Sequence, residues 1–329
     1  MVPDVIGVRK SGIVDAFEVQ STKDPLDNLL QRLEEGFARY CPNVRGAFKL
    51  CNPNRPSRRF MIQLVSEDCA ALAFYGIAPV KTALADFYSI AVRWFADLGH
   101  PTDKVAVRGP SHPRTYQSFE RVDRKLKSNG FEGIVSVELV SLAPEAKIPG
   151  QDYLLTAWAS LKNRNAYIVS RTSIVHLAKP EVMPLAKKVI LGIQPSYCIG
   201  YTRPHRLGPS MYAVGIAQGL GPDGYGIPGE MTTAEEAEFE SISHWGTGVH
   251  ARVWEKGLLR DVYPWNFLNR AQLEAEIADV RLEEWILKDR ERGKLERAGD
   301  GIRFWQLEPE QIPGVRGALE KAELALRLE

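Results

Sequence analysis

Apolar and polar positions alternate along this chain with two different periods. Val5-Ile6-Gly7-Val8 and Ile13 to Val19 have the period of short strands, with a Lys10-Ser11-Gly12 turn between them. Asp24 and Pro25 supply a helix start, and Leu26, Leu29, Leu30, Leu33 and Phe37 follow at helical spacing. Ala47-Phe48-Lys49-Leu50 reads as another strand. The next stretch, Asn52 to Arg59, has two prolines, three arginines and no periodicity, the composition of a linker. The front therefore reads β-β-α-β.

A second unit begins at Phe60-Met61-Ile62-Gln63-Leu64-Val65. Pro79 to Leu98 is predicted as a helix, with Leu84, Phe87, Tyr88, Ala91, Trp94 and Phe95 on one face and Gly99 and Pro101 as stop signals. Further helices are predicted over Pro113–Ser128, Pro180–Ile193, Leu273–Asp289 and Pro313–Leu328. Strands are predicted over Ile134–Leu142, Tyr153–Trp158, Tyr197–Tyr201, Met211–Ile216 and Ile302–Leu307. Residues 219–229 hold five glycines and two prolines and read as an irregular loop. Helices and strands alternate without a regular βαβ repeat. The expected fold is α+β: a mixed or antiparallel sheet with helices packed on one face, preceded by the small β-β-α-β segment. The expected organisation is a fragment at 1–52, a linker at 53–60 and an α+β domain at 61–329.

Composition fits a folded chain: of 329 residues, 44% are hydrophobic and 25% charged. No apolar run approaches the roughly 20 residues of a membrane helix, and the start lacks a signal stretch. Cys41, Cys51, Cys69 and Cys198 have no CxxC spacing and read as reduced thiols, so the cytoplasm is the expected compartment. Residues 1–60 carry ten Lys/Arg against seven acids, net +3, whereas the remainder is net −2. This mild contrast fits two histories for the front and the body.

The front holds one constellation with a mechanism. Asp4 stands beside the first strand, and Glu18 and Gln20 share one side of the second. Two such carboxylates at adjacent strand ends can share a divalent ion that activates water. The plainer reading is solvated carboxylates on a hairpin. In the body, His100, His112, His176, His205, His244 and His250 are scattered without metal-ligand spacing, and no GxSxG elbow, P-loop or dinucleotide fingerprint occurs. Glu230, Glu235, Glu236, Glu238 and Glu240 crowd five carboxylates into one short stretch. This is either a solvated helix start or an acidic patch that mimics phosphates before a basic cleft. Trp245, Trp254, Tyr263, Trp265, Trp285 and Trp305 read as core or as interface anchors, with Trp245 nearest the acidic stretch. A small-molecule pocket near Arg203, His205 and Arg206 is a further possibility on composition.

Two resemblances organise these residues. Pro3-Asp4-Val5-Ile6-Gly7-Val8, with Asp15-Ala16-Phe17-Glu18-Val19-Gln20-Ser21, resembles the PD-(D/E)xK nuclease-like tips of bacterial polymorphic toxins over residues 2–53. Gln20 stands where that pattern usually has lysine. The resemblance implies that Asp4, Glu18 and Gln20 would hold Mg²⁺ and act on nucleic acid. Tyr153 to Trp158, Pro195 to Tyr201, Leu259 to Leu268 and Asp300-Gly301-Ile302 together resemble the type VI secretion immunity proteins. That resemblance implies a binding protein without a cofactor, whose partner is a cognate toxin and which would begin at Met61. The expected function is therefore immunity-type neutralisation of a secreted toxin by a chain carrying a toxin-tip remnant. The alternative is a metal-dependent nuclease. The acidic stretch and Trp245 are the candidate binding residues.

Overall fold

A computed structural model of the chain describes the backbone of residues 45–50 and 60–65. It also describes residues 67–216 and 252–325, with short gaps at 79, 81, 111–114, 145 and 147–152, together with Trp245. Strands β1 (Arg45–Leu50) and β2 (Phe60–Val65) form a two-stranded antiparallel ladder with Arg45 opposite Val65 and Leu50 opposite Phe60. Chain from the two expected units thus meets in one ladder, joined through residues 51–59. The small front segment from Asp4 to Gln20 lies outside the described residues.

The body is built on one sheet. In chain order its elements are β3 (Asp68–Tyr75), α1 (Ala83–Asp97), β4 (Lys104–Arg108), β5 (Tyr116–Ser118), α2 (Phe119–Asn129), β6 (Ser136–Leu142), β7 (Tyr153–Ser160) and β8 (Asn165–Arg171). After these come α3 (Val182–Ile193), β9 (Tyr197–Pro204), α4 (Pro209–Ala213), β10 (Trp265–Leu268), α5 (Arg270–Glu274), the two-residue pair β11 (Glu276–Ile277) and β12 (Val280–Arg281), α6 (Leu282–Leu287), β13 (Lys294–Gly299), β14 (Ile302–Gln306) and α7 (Ile312–Lys321). Ten strands pair in the order β13-β14-β10-β9-β3-β8-β7-β6-β4-β5, every pairing antiparallel. This is the antiparallel α+β architecture that the alternation of elements predicts.

The central strand explains the layering. In β3, Ala70, Leu72 and Phe74 point to one face and Cys69, Ala71, Ala73 and Tyr75 to the other, and all are buried. A strand covered on both sides must be apolar throughout, and side chains alternate between the two cores. The first face packs against the three longest helices among the described residues. α1 contributes Leu84, Phe87, Ala91 and Phe95, α2 contributes Val122 and Leu126, and α3 contributes Leu185, Val189 and Ile193. Fully burying one such side chain stabilises by about 1.5–3 kcal/mol, so this face alone specifies the register of β3 strongly. The opposite face is covered by C-terminal chain, with Trp254, Leu282, Ile286, Val315 and Leu319 packed on Tyr197, Ile199 and Tyr201. Small residues make room at the centre. A Cβ on Gly200 would lie 2.9 Å from the Trp265 Cβ, its cross-strand neighbour, so that position admits the indole only as glycine.

Three expected elements differ. The helix expected over Pro113–Ser128 starts only at Phe119, because Tyr116–Ser118 pair with β4 as the edge strand β5. Met211–Ile216 was read as a strand, but residues 209–213 form the helix α4. Gly208 turns the chain at φ +59° and Pro209 starts the helix with its fixed φ, which overrides the local alternation. The single helix expected over Leu273–Asp289 is two short helices. Ala275 is extended, and Ala278 and Asp279 take φ values of +49° and +61° in a tight turn between β11 and β12. The apolar residues on either side keep helical spacing across that turn, which is why periodicity joins them.

One ionic clamp ties the start of β3 to the end of β8. Arg171 Nη1 donates to Glu67 Oε2 at 3.3 Å, and the Ser173 amide donates to Oε1 at 3.1 Å. Burial pushes the Glu67 pKa up. Hydrogen bonds from Ser173 and the charge of Arg171 outweigh that and hold it below the ordinary glutamate value. Because the folded pKa is the lower one, the clamp's stabilisation is fully present above the ordinary glutamate range and drains away as pH falls through the folded value. Urea midpoints followed from neutral pH into the acid range are expected to decline less steeply for Glu67→Gln than for wild type.

Candidate functional site

The polar residues with the most demanding geometry gather on the second face of the sheet, around Arg260. β3 ends there with Tyr75, β9 contributes Tyr197 and Tyr201, and α4 contributes Tyr212. The segment leading into β10 supplies Arg260 and Tyr263. Trp245 and Trp254 complete the ring wall, and each is at most 2% exposed. Tyr75 meets Trp245 edge-on at 5.3 Å and stacks on Tyr197 at 5.7 Å.

Arg260 is only 5% exposed. Its Nη1 donates to the Tyr75 hydroxyl at 3.0 Å and to the Tyr212 carbonyl at 2.9 Å, while its Cζ lies 3.7 Å over the Tyr212 ring. The Tyr75 hydroxyl passes its proton on to the Ala213 carbonyl at 2.7 Å. The Arg260 amide donates to the Tyr197 hydroxyl at 3.3 Å, and the hydroxyls of Tyr212 and Tyr263 lie 2.7 Å apart. The adjacent Asp261 does not pair with Arg260. It points the other way and accepts two bonds from Arg316 on α7, at 2.7 and 3.0 Å. Among the described residues Arg260 forms no ion pair and its Nη2 has no hydrogen-bond partner. A buried guanidinium is thus held by ring faces, a hydroxyl and a carbonyl, with cation–π contact worth about 2 kcal/mol when desolvated.

The surrounding titratable groups are locked in their neutral forms. Burial raises the hydroxyls of Tyr75, Tyr197, Tyr201 and Tyr263, with the nearby Arg260 charge offsetting only part of the effect. Burial also pushes the Cys69 thiol up to about 12 and raises Cys198. At neutral pH these groups serve as hydrogen-bond donors and packing, not as nucleophiles. No group of three or more His, Cys, Asp or Glu side chains positioned for a metal occurs among the described residues.

Of the residues singled out from the sequence, Asp4, Glu18, Gln20, Glu230, Glu235, Glu236, Glu238 and Glu240 lie outside the described residues. Trp245 is placed, and it sits in the core at 1% exposed. Trp254, Tyr263, Trp265, Trp285 and Trp305 are likewise buried, which resolves that set in favour of core. Arg203 is buried, with Nε donating to the Leu207 carbonyl at 2.9 Å and Cζ 4.6 Å from the Tyr212 ring; His205 lies edge-on to Tyr153. Sequence reasoning missed Tyr75 and Arg260. The one available signal was a charged pair, Arg260-Asp261, set between Leu258-Leu259 and Val262-Tyr263 in an otherwise apolar run. Among the described residues no helix is long and apolar enough to cross a membrane.

Removing the guanidinium would leave the Tyr212 carbonyl and the acceptor side of the Tyr75 hydroxyl unpaired. Arg260→Met is expected to cost about 2–4 kcal/mol in urea denaturation, the penalty of leaving two buried acceptors without a donor rather than the net worth of the guanidinium. Arg260→Lys is expected to recover little of it, since one ammonium cannot reproduce the planar fork over the Tyr212 ring.

No family model matches this chain, and no curated protein matches it. Among solved structures it is similar to the Pseudomonas aeruginosa T6SS protein PA0821, with a TM-score of 0.44 and 12% identity over 90% of this chain and 82% of that one. It is also similar to the Trypanosoma brucei AdoMetDC-delta26 monomer, with a TM-score of 0.22 and 12% identity over 56% of this chain and 75% of that one. Neither likeness is close enough to carry a functional conclusion.

Proposed function

We propose that this chain is an immunity-type binding protein that neutralises a cognate secreted bacterial toxin by stoichiometric occlusion. The observation that carries the reading is a concentration of charge. Between Arg206 and Arg252 the sequence has Asp223, Glu230, Glu235, Glu236, Glu238 and Glu240 and no lysine or arginine, a net charge of −6. Both ends of this stretch join the buried aromatic cluster, through Tyr212 on one side and Trp245 and Trp254 on the other. A dense run of carboxylates without compensating cations steers a basic partner into register and rejects acidic ones. The nucleic-acid cleft of a nuclease is such a partner, and an interface of roughly 1,600 Å² in total suffices to close it. The sequence resemblance to type VI secretion immunity proteins points the same way. On this reading the chain acts in the cytoplasm, needs no cofactor and retains a toxin-tip remnant at its front.

The test is a search of the gene's neighbourhood for a toxin domain, followed by co-expression with it; absence of any such neighbour counts against the reading. Wild type is expected to restore growth. A variant with Glu235, Glu236, Glu238 and Glu240 each changed to Gln is expected to bind the toxin about tenfold or more weakly, with a flatter salt dependence. Equal protection and equal salt dependence for the two proteins would dismiss the acidic-surface reading. Plasmid cleavage by the purified chain with Mg²⁺, abolished by Glu18→Ala, would replace it with the nuclease alternative.

A further inference from the structure

We infer that the Arg260 guanidinium binds a small monovalent anion of the chloride class inside the second core, at a site independent of the toxin-binding reading. A surplus of hydrogen-bond donors defines it. Nη1 of Arg260 donates to the Tyr75 hydroxyl at 3.0 Å and to the Tyr212 carbonyl at 2.9 Å, but Nη2 is buried and meets no acceptor. Trp245 lies alongside, with its ring centre 5.2 Å from the guanidinium carbon. Its Nε1 is also buried, and it faces the Tyr75 hydroxyl without completing a hydrogen bond. The hydroxyls of Tyr212 and Tyr263, 2.7 Å apart, carry two hydrogens and share one bond, so a further donor is left over. Positive charge is concentrated here as well. Arg203 brings its Cζ to 4.6 Å from the centre of the same Tyr212 ring that Arg260 covers at 3.7 Å.

These groups call for an acceptor that carries negative charge. A buried cation without a counter-charge is far more costly than a buried neutral donor. Asp261, next to Arg260 in sequence, is turned away to Arg316, and among the described residues no other carboxylate pairs with the guanidinium. A water at Nη2 and Nε1 accepts from both, but it must also place two hydrogens of its own. The oxygens nearby are already engaged. The Tyr75 hydroxyl accepts from Arg260 and donates to the Ala213 carbonyl, and the Tyr212 carbonyl accepts from Nη1. An anion accepts from every side, donates nothing and neutralises the guanidinium. The aromatic wall limits its size. Tyr75 meets Trp245 at a ring separation of 5.3 Å and Tyr197 at 5.7 Å, which favours a single-atom ion over phosphate or sulfate. Stripping the hydration of a divalent ion is also the costlier step. Seated there, the anion joins β3, α4 and the segment entering β10 through one shared charge.

The experiment unfolds the full-length chain in urea at constant ionic strength while sodium chloride replaces sodium gluconate, whose anion is too large for the site. The wild-type midpoint is expected to climb with the logarithm of chloride over about 1–100 mM, as mass action requires of a ligand bound only by the folded chain. Bromide is expected to substitute for chloride and to give an anomalous-scattering peak beside Nη2 of Arg260 in crystals. Trp245→Phe keeps an aromatic ring and removes one donor, and it is expected to weaken chloride binding about tenfold. Arg260→Met is expected to abolish the chloride dependence; if that variant does not fold, Trp245→Phe decides. Equal wild-type midpoints in chloride and gluconate, or a bromide peak only at other positions, would overturn the site. A chloride response that Trp245→Phe leaves unchanged would mark an adventitious ion only and overturn it as well.

Discussion

The second core of this protein is organised around a cation that has no carboxylate among the described residues. Burying a guanidinium costs several kcal/mol. Against this stand two charge-assisted hydrogen bonds, at roughly 1.5–3 kcal/mol each, and a desolvated cation–π contact of about 2 kcal/mol. The two sides nearly balance, so Arg260 contributes little net stability. What it contributes is geometry. Its donors must reach the Tyr75 hydroxyl on β3 and the Tyr212 carbonyl on α4 at once, while its plane lies over the Tyr212 ring and its own amide reaches Tyr197 on β9. One side chain thereby sets the relative placement of the central strand, a neighbouring strand, α4 and the segment entering β10. Asp261, engaged by Arg316, extends the same junction to α7.

Much of the first core was legible in the sequence, because single-faced amphipathicity is a local signal. The α1 face of Leu84, Phe87, Ala91 and Phe95 is read from spacing alone, and the Gly99 stop agrees with the helix end at Asp97. The second core was not legible, since its residues act through long-range contacts. Tyr75 and Arg260 are 185 positions apart, and nothing near either marks the other. Strands β3, β4, β5, β8, β10 and β13 all escaped notice, among them the central strand Asp68–Tyr75, whose near-continuous buried run leaves no polar alternation to read. Trp265 to Leu268 is too short for alternation to register, and Lys294 to Gly299 is a mostly polar edge strand next to β14. The aromatic set read as core or interface proved to be core because the sheet is covered on both faces.

The candidate site divides in the same way. The acidic residues are conspicuous because charge density can be read position by position. The place of Trp245 is not legible in that way, because its burial among Tyr75, Tyr197 and Trp254 depends on chain far away in sequence. Burial holds the hydroxyls of Tyr75, Tyr197, Tyr201 and Tyr263 in their protonated forms.

The central claim is stoichiometric binding, and light scattering on size-exclusion chromatography tests it most directly. Purified chain mixed with a nuclease-toxin domain of the kind the proposal requires is expected to run as a one-to-one complex, with toxin activity falling linearly to zero at equimolar chain. Absence of a complex, or full loss of toxin activity at far below one equivalent of chain, would contradict the account.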